Sequence, residues 1–264
     1  MKKVGFIGAG NMGGALAAAA AKAENTEIYL TDKDTAKAEA LAEKIGATVT
    51  TAKKIAEVCD IIFLGVKPNI VKAALEPIAD RISYRGATLV SMAAGVSIEK
   101  IEGCLPSPTP VIRIMPNTPV AVGEGMILYT LGSAATDETV RDFLAVMKWA
   151  GTLDLIDERL IDAASALSGC GPAFVYMFIE ALSDGAVECG LPRDKALLYA
   201  AKTLLGASKM VLTSDAHPAA LKDAVCSPGG STIEGVRALE DGAFRGTVID
   251  AVAAAYEKTK RLGR

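Results

Sequence analysis

The sequence is poor in histidine, aromatics and paired cysteine. Its single histidine is His217. One imidazole excludes histidine-rich metal sites and leaves any Ser-His-Asp arrangement resting on that residue alone. His217 precedes Pro218 where a helix is expected to begin, which suits capping better than catalysis. Aromatics are 5% of the chain and alanine is abundant, so its helices are expected to pack through small side chains. The five cysteines, Cys59, Cys104, Cys170, Cys189 and Cys226, are odd in number, widely spaced and without C-x-x-C. That argues against a disulfide or zinc framework and for buried, reduced thiols in a cytoplasmic protein. No Lys/Arg cluster interleaves with aromatics and the net charge is −3, so no nucleic-acid partner is expected. No apolar run of roughly twenty residues is free of Gly, Pro and polar side chains, so no membrane span is expected either.

What is present is organised around the first stretch. Val4–Ile7 reads as a short buried strand. Gly8, Gly10 and Gly13 then form G-x-G-x-x-G, and an alanine-rich helix follows from Met12 to Lys22. The first glycine permits a tight turn, the second a close backbone approach to a pyrophosphate, and the third close helix–strand packing. The pyrophosphate would meet the free N–H groups at the helix start. Met1-Lys2-Lys3 also gives a basic start like that of a secretory signal, but three glycines and Asn11 interrupt the apolar region. A second strand, Glu27–Thr31, ends at Asp32, about 20 residues past the last glycine, where a ribose-binding acid belongs.

The strand–helix alternation continues. Helix 35–45 stops at Gly46. Strands follow at Thr48–Thr50, Ile61–Leu64, Ala87–Ser91 and Val111–Ile114, with helices at Ile55–Cys59 and Val71–Ile78. Ile61–Leu64 is apolar throughout, as for a strand buried on both faces. These are the marks of a doubly wound parallel sheet. Ligands in such sheets lie beyond the carboxyl ends of the strands, where the sequence places Gly65-Val66-Lys67-Pro68, Met92-Ala93-Ala94-Gly95 and Met115-Pro116-Asn117-Thr118-Pro119. Lys67 reads equally as a coenzyme contact or a solvated lysine. One or two strands are expected in 123–131, a helix in 137–149 and a strand in 152–156.

From Leu160 the strand signal vanishes. Helices are expected at 172–188, 192–212, 217–226, 233–240 and 248–261, so residues 1–159 and 160–264 read as two domains. In the second helix Leu197, Ala200, Ala201, Leu204, Leu205, Ser208, Val211 and Leu212 share one stripe. Two glycine-rich turns open helices, Ser168-Gly169-Cys170-Gly171-Pro172-Ala173 and Ser227-Pro228-Gly229-Gly230-Ser231-Thr232. In the second, Ser231 or Thr232 could be a simple N-cap. A plain cap does not need Pro-Gly-Gly, whereas consecutive glycines let N–H groups surround an anion.

These words, with Gly5-Phe6-Ile7-Gly8-Ala9-Gly10-Asn11-Met12 and Ala224-Val225-Cys226 before the last turn, give a chain that resembles pyrroline-5-carboxylate reductases from end to end. The resemblance implies an α/β fold: an N-terminal Rossmann-type doubly wound sheet and a C-terminal all-α dimerisation domain. It implies reduction of 1-pyrroline-5-carboxylate to L-proline by NADPH or NADH, in a homodimer that builds larger rings such as a decamer. Ile7, Gly8, Ala9, Gly10, Asn11 and Met12 would hold the pyrophosphate, with Thr31 and Asp32 at the ribose. Gly65, Val66, Lys67, Pro68, Ala93 and Ala94 would reach toward the nicotinamide. Gly230, Ser231 and Thr232 would hold the substrate carboxylate, with Asn117 also counted as substrate-binding and Thr232, near the ring nitrogen, as the catalytic residue. Two positions depart from the family pattern. Cys170 stands where serine is frequent, and Asp32 with Lys33 stands where NADPH-preferring members usually carry neutral or basic residues. Aspartate favours NADH and lysine pulls the other way, leaving the coenzyme open.

Overall fold

A computed structural model of the chain describes residues 1–262. Eight strands, β1 Lys2–Ile7, β2 Thr26–Thr31, β3 Thr48–Val49, β4 Ile61–Leu64, β5 Thr88–Ser91, β6 Val111–Met115, β7 Gly125–Leu131 and β8 Gly151–Leu155, form one sheet in the order β3-β2-β1-β4-β5-β6-β7-β8. Eight helices accompany them: α1 Asn11–Ala20, α2 Thr35–Ile45, α3 Ala52–Val58, α4 Val71–Leu75, α5 Ala79–Arg85, α6 Ile98–Glu102, α7 Asp137–Met147 and α8 Ile161–Ser168.

The apolar strands are buried on both faces because their side chains alternate between two cores. Val4 and Phe6, with Ile61 and Phe63, join the cluster that includes Leu16 and Phe143. Ile7, Ile62 and Leu64 join the cluster around Ile55, Leu75 and Ile82. Phe6 and Phe63 are register partners and stack with centroids 4.6 Å apart. A Cβ on Gly5 would come within 2.3 Å of Ile55 Cγ2, so α3 lies directly on β1. The small-residue reading of α1 holds: Leu16, Ala17, Ala19 and Ala20 are all buried.

The structure adds two features and shortens one expected helix. The sheet is not wholly parallel, since β7 runs antiparallel to β6. The link between them is a single 3₁₀ turn, Thr118–Val122, too short for the crossover a parallel pair requires. The helix expected over 71–78 ends at Leu75, and a separate helix starts at Ala79. Pro77 lacks the N–H needed to carry the first helix further. The helical run Glu158–Glu188 is long and apolar enough, by length and composition alone, to cross a membrane, with a mean hydropathy of 1.3 over its most apolar window.

The chain divides into two compact units: Met1–Cys170 with the end of the chain from Ala255, and Gly171–Ala254. The second is helical: α9 Gly171–Glu188, α10 Arg193–Thr213, α11 Pro218–Val225, α12 Ser231–Asp241 and the greater part of α13 Phe244–Leu262. α9 and α10 pack together, burying Ser183, Ala196 and Ala200. The apolar stripe of α10 is largely uncovered, with Leu197 52%, Leu205 57% and Leu212 85% exposed. Met177, Leu198 and Tyr199 are exposed as well.

Candidate functional site

In the first unit, backbone bonds zip four strand ends into one line. Thr31 O accepts from Gly8 N–H at 2.8 Å, Ile7 O from Gly65 N–H at 2.8 Å, and Leu64 O from Met92 N–H at 3.3 Å. This brings together the segments singled out in the sequence: Ile7–Met12, Thr31–Asp32, Gly65–Pro68 and, after Met92, Ala93 and Ala94. Ala93 is buried, Ala94 partly so, and Lys67 is exposed.

The three glycines have different reasons to be there. Gly8 has φ +106, and a Cβ on it would lie 2.4 Å from Gly65 O. A Cβ on Gly13 would lie 2.1 Å from Gly8 O. The protein's own packing therefore demands those two. Around Gly10 nothing lies within 4 Å of such a Cβ. Gly10 is the N-cap of α1 in extended conformation and supplies no side-chain cap, so the first helical N–H groups have no side-chain acceptor at the helix start. A helix start stripped of side chains, with room beside it, fits a dinucleotide pyrophosphate. Asn11 is exposed and Met12 packs partly on the core.

Asp32 is engaged by the loop itself. Its Oδ2 accepts from Ala9 N–H at 2.6 Å and its Oδ1 from Asp34 N–H at 2.9 Å. Asn117 does not present a free amide. It is 9% exposed, donates from Nδ2 to Ser168 O at 2.9 Å, and accepts at Oδ1 from Met126 N–H at 2.9 Å. Both ends of its side chain are held within the first unit.

The sequence reading missed Arg113. This β6 side chain is 5% exposed and meets Glu158 Oε1 at 3.0 Å and Asp162 Oδ1 at 3.2 Å. Glu158 Oε1 also accepts from Ile98 N–H at 2.8 Å, tying α6 to the same node. Arg113 Nε is buried without a partner. The signal was a lone arginine inside Val-Ile-Arg-Ile, since a charge in a buried strand requires a partner. Cys59, by contrast, is shut behind β1; burial pushes its thiol up to about 12, which removes it as a nucleophile.

In the second unit, Ser227-Pro228-Gly229-Gly230 forms a turn closed by Gly230 N–H to Ser227 O at 3.0 Å, with Gly229 at φ +68. The N-cap of α12 is Gly230, so neither Ser231 nor Thr232 caps the helix. Both hydroxyls lie inside the first turn, beside N–H groups that have no intrahelical acceptor. Ser231 is exposed and Thr232 partly buried. The simple-cap reading of that serine and threonine is thus replaced by a bare helix start like that of α1. His217 behaves as its sequence suggested: Nδ1 accepts from Ala219 N–H at 3.2 Å and caps α11.

Residues 158–262 match the family model described as pyrroline-5-carboxylate reductase dimerisation. Residues 3–95 match the one described as NADP oxidoreductase coenzyme F420-dependent. Pyrroline-5-carboxylate reductase of Escherichia coli is 40% identical over 267 residues, spanning 100% of this chain and 99% of its own. The chain belongs to the pyrroline-5-carboxylate reductase family. Among solved structures, the Plasmodium falciparum pyrroline carboxylate reductase with NADP bound superposes with TM-score 0.87 at 35% identity, covering 100% of this chain and 98% of its own. The Coxiella burnetii pyrroline-5-carboxylate reductase gives 0.89 at 30%, covering 99% and 98%. Membership in this reductase family explains the uncovered helices. The dimerisation match takes in α10 with its exposed apolar stripe, the kind of surface that self-association buries.

Proposed function

We infer that this chain is a pyrroline-5-carboxylate reductase that converts 1-pyrroline-5-carboxylate to L-proline with NADPH or NADH, in the cytoplasm. Bound dihydronicotinamide supplies the hydride that the imine carbon takes, and a proton on the ring nitrogen completes the amine. A protonated imine is already an electrophile, so the protein need not provide a strong acid, and a chain whose one histidine caps a helix can do the work. Its contribution is to bind, orient and exclude water.

In this reading Ile7, Gly8, Ala9, Gly10, Asn11 and Met12 hold the pyrophosphate, and Thr31 and Asp32 the adenosine ribose. Gly65, Val66, Lys67 and Pro68 with Ala93 and Ala94 form the wall toward the nicotinamide. Gly230, Ser231 and Thr232 take the substrate carboxylate on backbone N–H groups, and the Thr232 hydroxyl orients the ring nitrogen. Asn117 serves the site indirectly, by fastening the loop after β6 to the end of α8. Residues 160–264 act as the substrate-binding and dimerisation domain and residues 1–159 as the coenzyme domain, in a homodimer that assembles further into a decamer.

The observation that carries the reading is the bare start of α12: a Pro-Gly-Gly turn, a glycine N-cap and two hydroxyls left out of capping. The test is purified protein with 1-pyrroline-5-carboxylate and either coenzyme. Coenzyme oxidation should be matched one for one by L-proline, and Thr232→Ala should lower kcat/KM by tenfold or more, about 1.4 kcal/mol. Coenzyme binding without proline formation would refute it.

A further inference from the structure

We propose that the end of β2 selects NADH over NADPH and that Asp32 is the selecting residue. This rests on the reading above, in which the adenosine ribose lies against that strand end, and it deepens that reading by naming the coenzyme.

Asp32 is fixed. Its two oxygens take N–H groups from two different segments, Ala9 in the glycine loop at 2.6 Å and Asp34 at 2.9 Å. A side chain held at both oxygens does not swing away to make room for a second anion. Each carboxylate oxygen keeps a further lone pair. Those lone pairs suit the two hydroxyl donors of an unmodified ribose. A 2′-phosphate offers close to two negative charges and acceptor oxygens, so it meets Asp32 with repulsion and no donor.

The neighbouring cations do not reverse this. A 2′-phosphate site needs net positive charge at the strand end. The charged residues of 32–37 are Asp32, Lys33, Asp34 and Lys37, which sum to zero. Lys37 Nζ lies 3.5 Å from Asp34 Oδ2, so its charge is already answered. Lys33 remains, exposed, against an aspartate held in place by two amides. The fold does not by itself exclude a 2′-phosphate, since the Plasmodium falciparum structure of the same fold has NADP bound. Selection therefore lies in these side chains. One fixed carboxylate facing two phosphate charges through a solvent-like dielectric corresponds to about a tenfold difference in affinity.

The experiment is equilibrium titration of the full chain with NADH and with NADPH, followed by nicotinamide fluorescence, beside competition by 5′-AMP and by adenosine 2′,5′-bisphosphate. The wild type should bind NADH about tenfold tighter than NADPH, and 5′-AMP should compete better than the bisphosphate. In Asp32→Asn the NADH:NADPH ratio should fall to within about threefold, mainly through tighter NADPH. Equal or tighter NADPH binding by the wild type overturns the proposal, whether or not the variant folds. An unchanged ratio in a folded Asp32→Asn overturns the role of Asp32. If NADH is preferred but 1-pyrroline-5-carboxylate is not reduced, the proposal stands and the catalytic reading falls.

Discussion

Asn117 and Ser168 are joined across 51 positions of sequence by one hydrogen bond, from the asparagine Nδ2 to the serine carbonyl, at 2.9 Å. The oxygen of the same amide takes Met126 N–H beside the first residue of β7. One side chain thus fastens the loop after β6 to both the start of β7 and the end of α8. Asn117→Ala leaves a carbonyl and an N–H without partners and should cost about 2–4 kcal/mol by urea denaturation. Asn117→Asp places an acceptor against the Ser168 carbonyl and should cost at least as much. A loss below about 1 kcal/mol in both would mean the bonds do not hold the connection.

The glycine loop gives a sharper contrast. Gly13→Ala drives a methyl to 2.1 Å from Gly8 O, so the variant should fold poorly or shift α1 off β1. Gly10→Ala meets nothing within 4 Å and should keep wild-type thermal stability while losing tenfold or more in coenzyme affinity. Thermal melts and coenzyme titration of the two variants check this. Normal coenzyme binding by Gly10→Ala would show that the space beside the helix start is not where the pyrophosphate sits.

At the Arg113 node the two sides of the ion pairs are unequal. The arginine is 5% exposed, whereas the Glu158 and Asp162 side chains are 33% and 35% exposed. Removing the acids leaves a charge sealed in the sheet; removing the arginine leaves two carboxylates that still reach water. The double variant Glu158→Gln/Asp162→Asn should therefore cost about 3–5 kcal/mol and Arg113→Met distinctly less, in the same denaturation assay. The opposite order would contradict the burial argument.

Cys59 sets an alkaline limit. Its folded-state thiol is pushed by burial, with Asp60 adding to the effect, up to about 12, against about 8.5–9 in an unfolded chain. Above pH 9 the unfolded chain releases this proton and the folded one keeps it, so stability falls as pH rises. The full contribution is present below pH 9 and is lost by pH 12, a change of order 4 kcal/mol. Stability measured from pH 8 to 11 should decline less steeply in Cys59→Ala than in the wild type. Parallel curves would show that the thiol is not the titrating group.

Much of the first unit was legible because its signals are local. Turn chemistry at Gly8, close packing at Gly13 and two-faced burial of Ile61–Leu64 each follow from a few neighbouring residues. The direction of β7 was not legible, since periodicity says that a segment is a strand but not which way it runs. The Arg113 node was half visible: a lone charge in an apolar strand announces a partner, but the partners sit 45 and 49 positions away. On α10 the repeat found the apolar stripe without saying that it stays uncovered in a single chain. At α12 the sequence left a hydroxyl cap and an anion-binding turn both open, and the observed cap is Gly230. That glycine turns an ordinary helix start into one whose N–H groups are left for an anion.

The account rests on α12 receiving a carboxylate, and the direct measurement is a comparison of two imines under one coenzyme. Initial rates with 1-pyrroline-5-carboxylate and with 1-pyrroline, which lacks only the carboxylate, isolate that contact. If the α12 amides hold the anion, kcat/KM for the acid should exceed that for the bare imine by a hundredfold or more, about 2.7 kcal/mol or greater. Equal values for the two imines would contradict it.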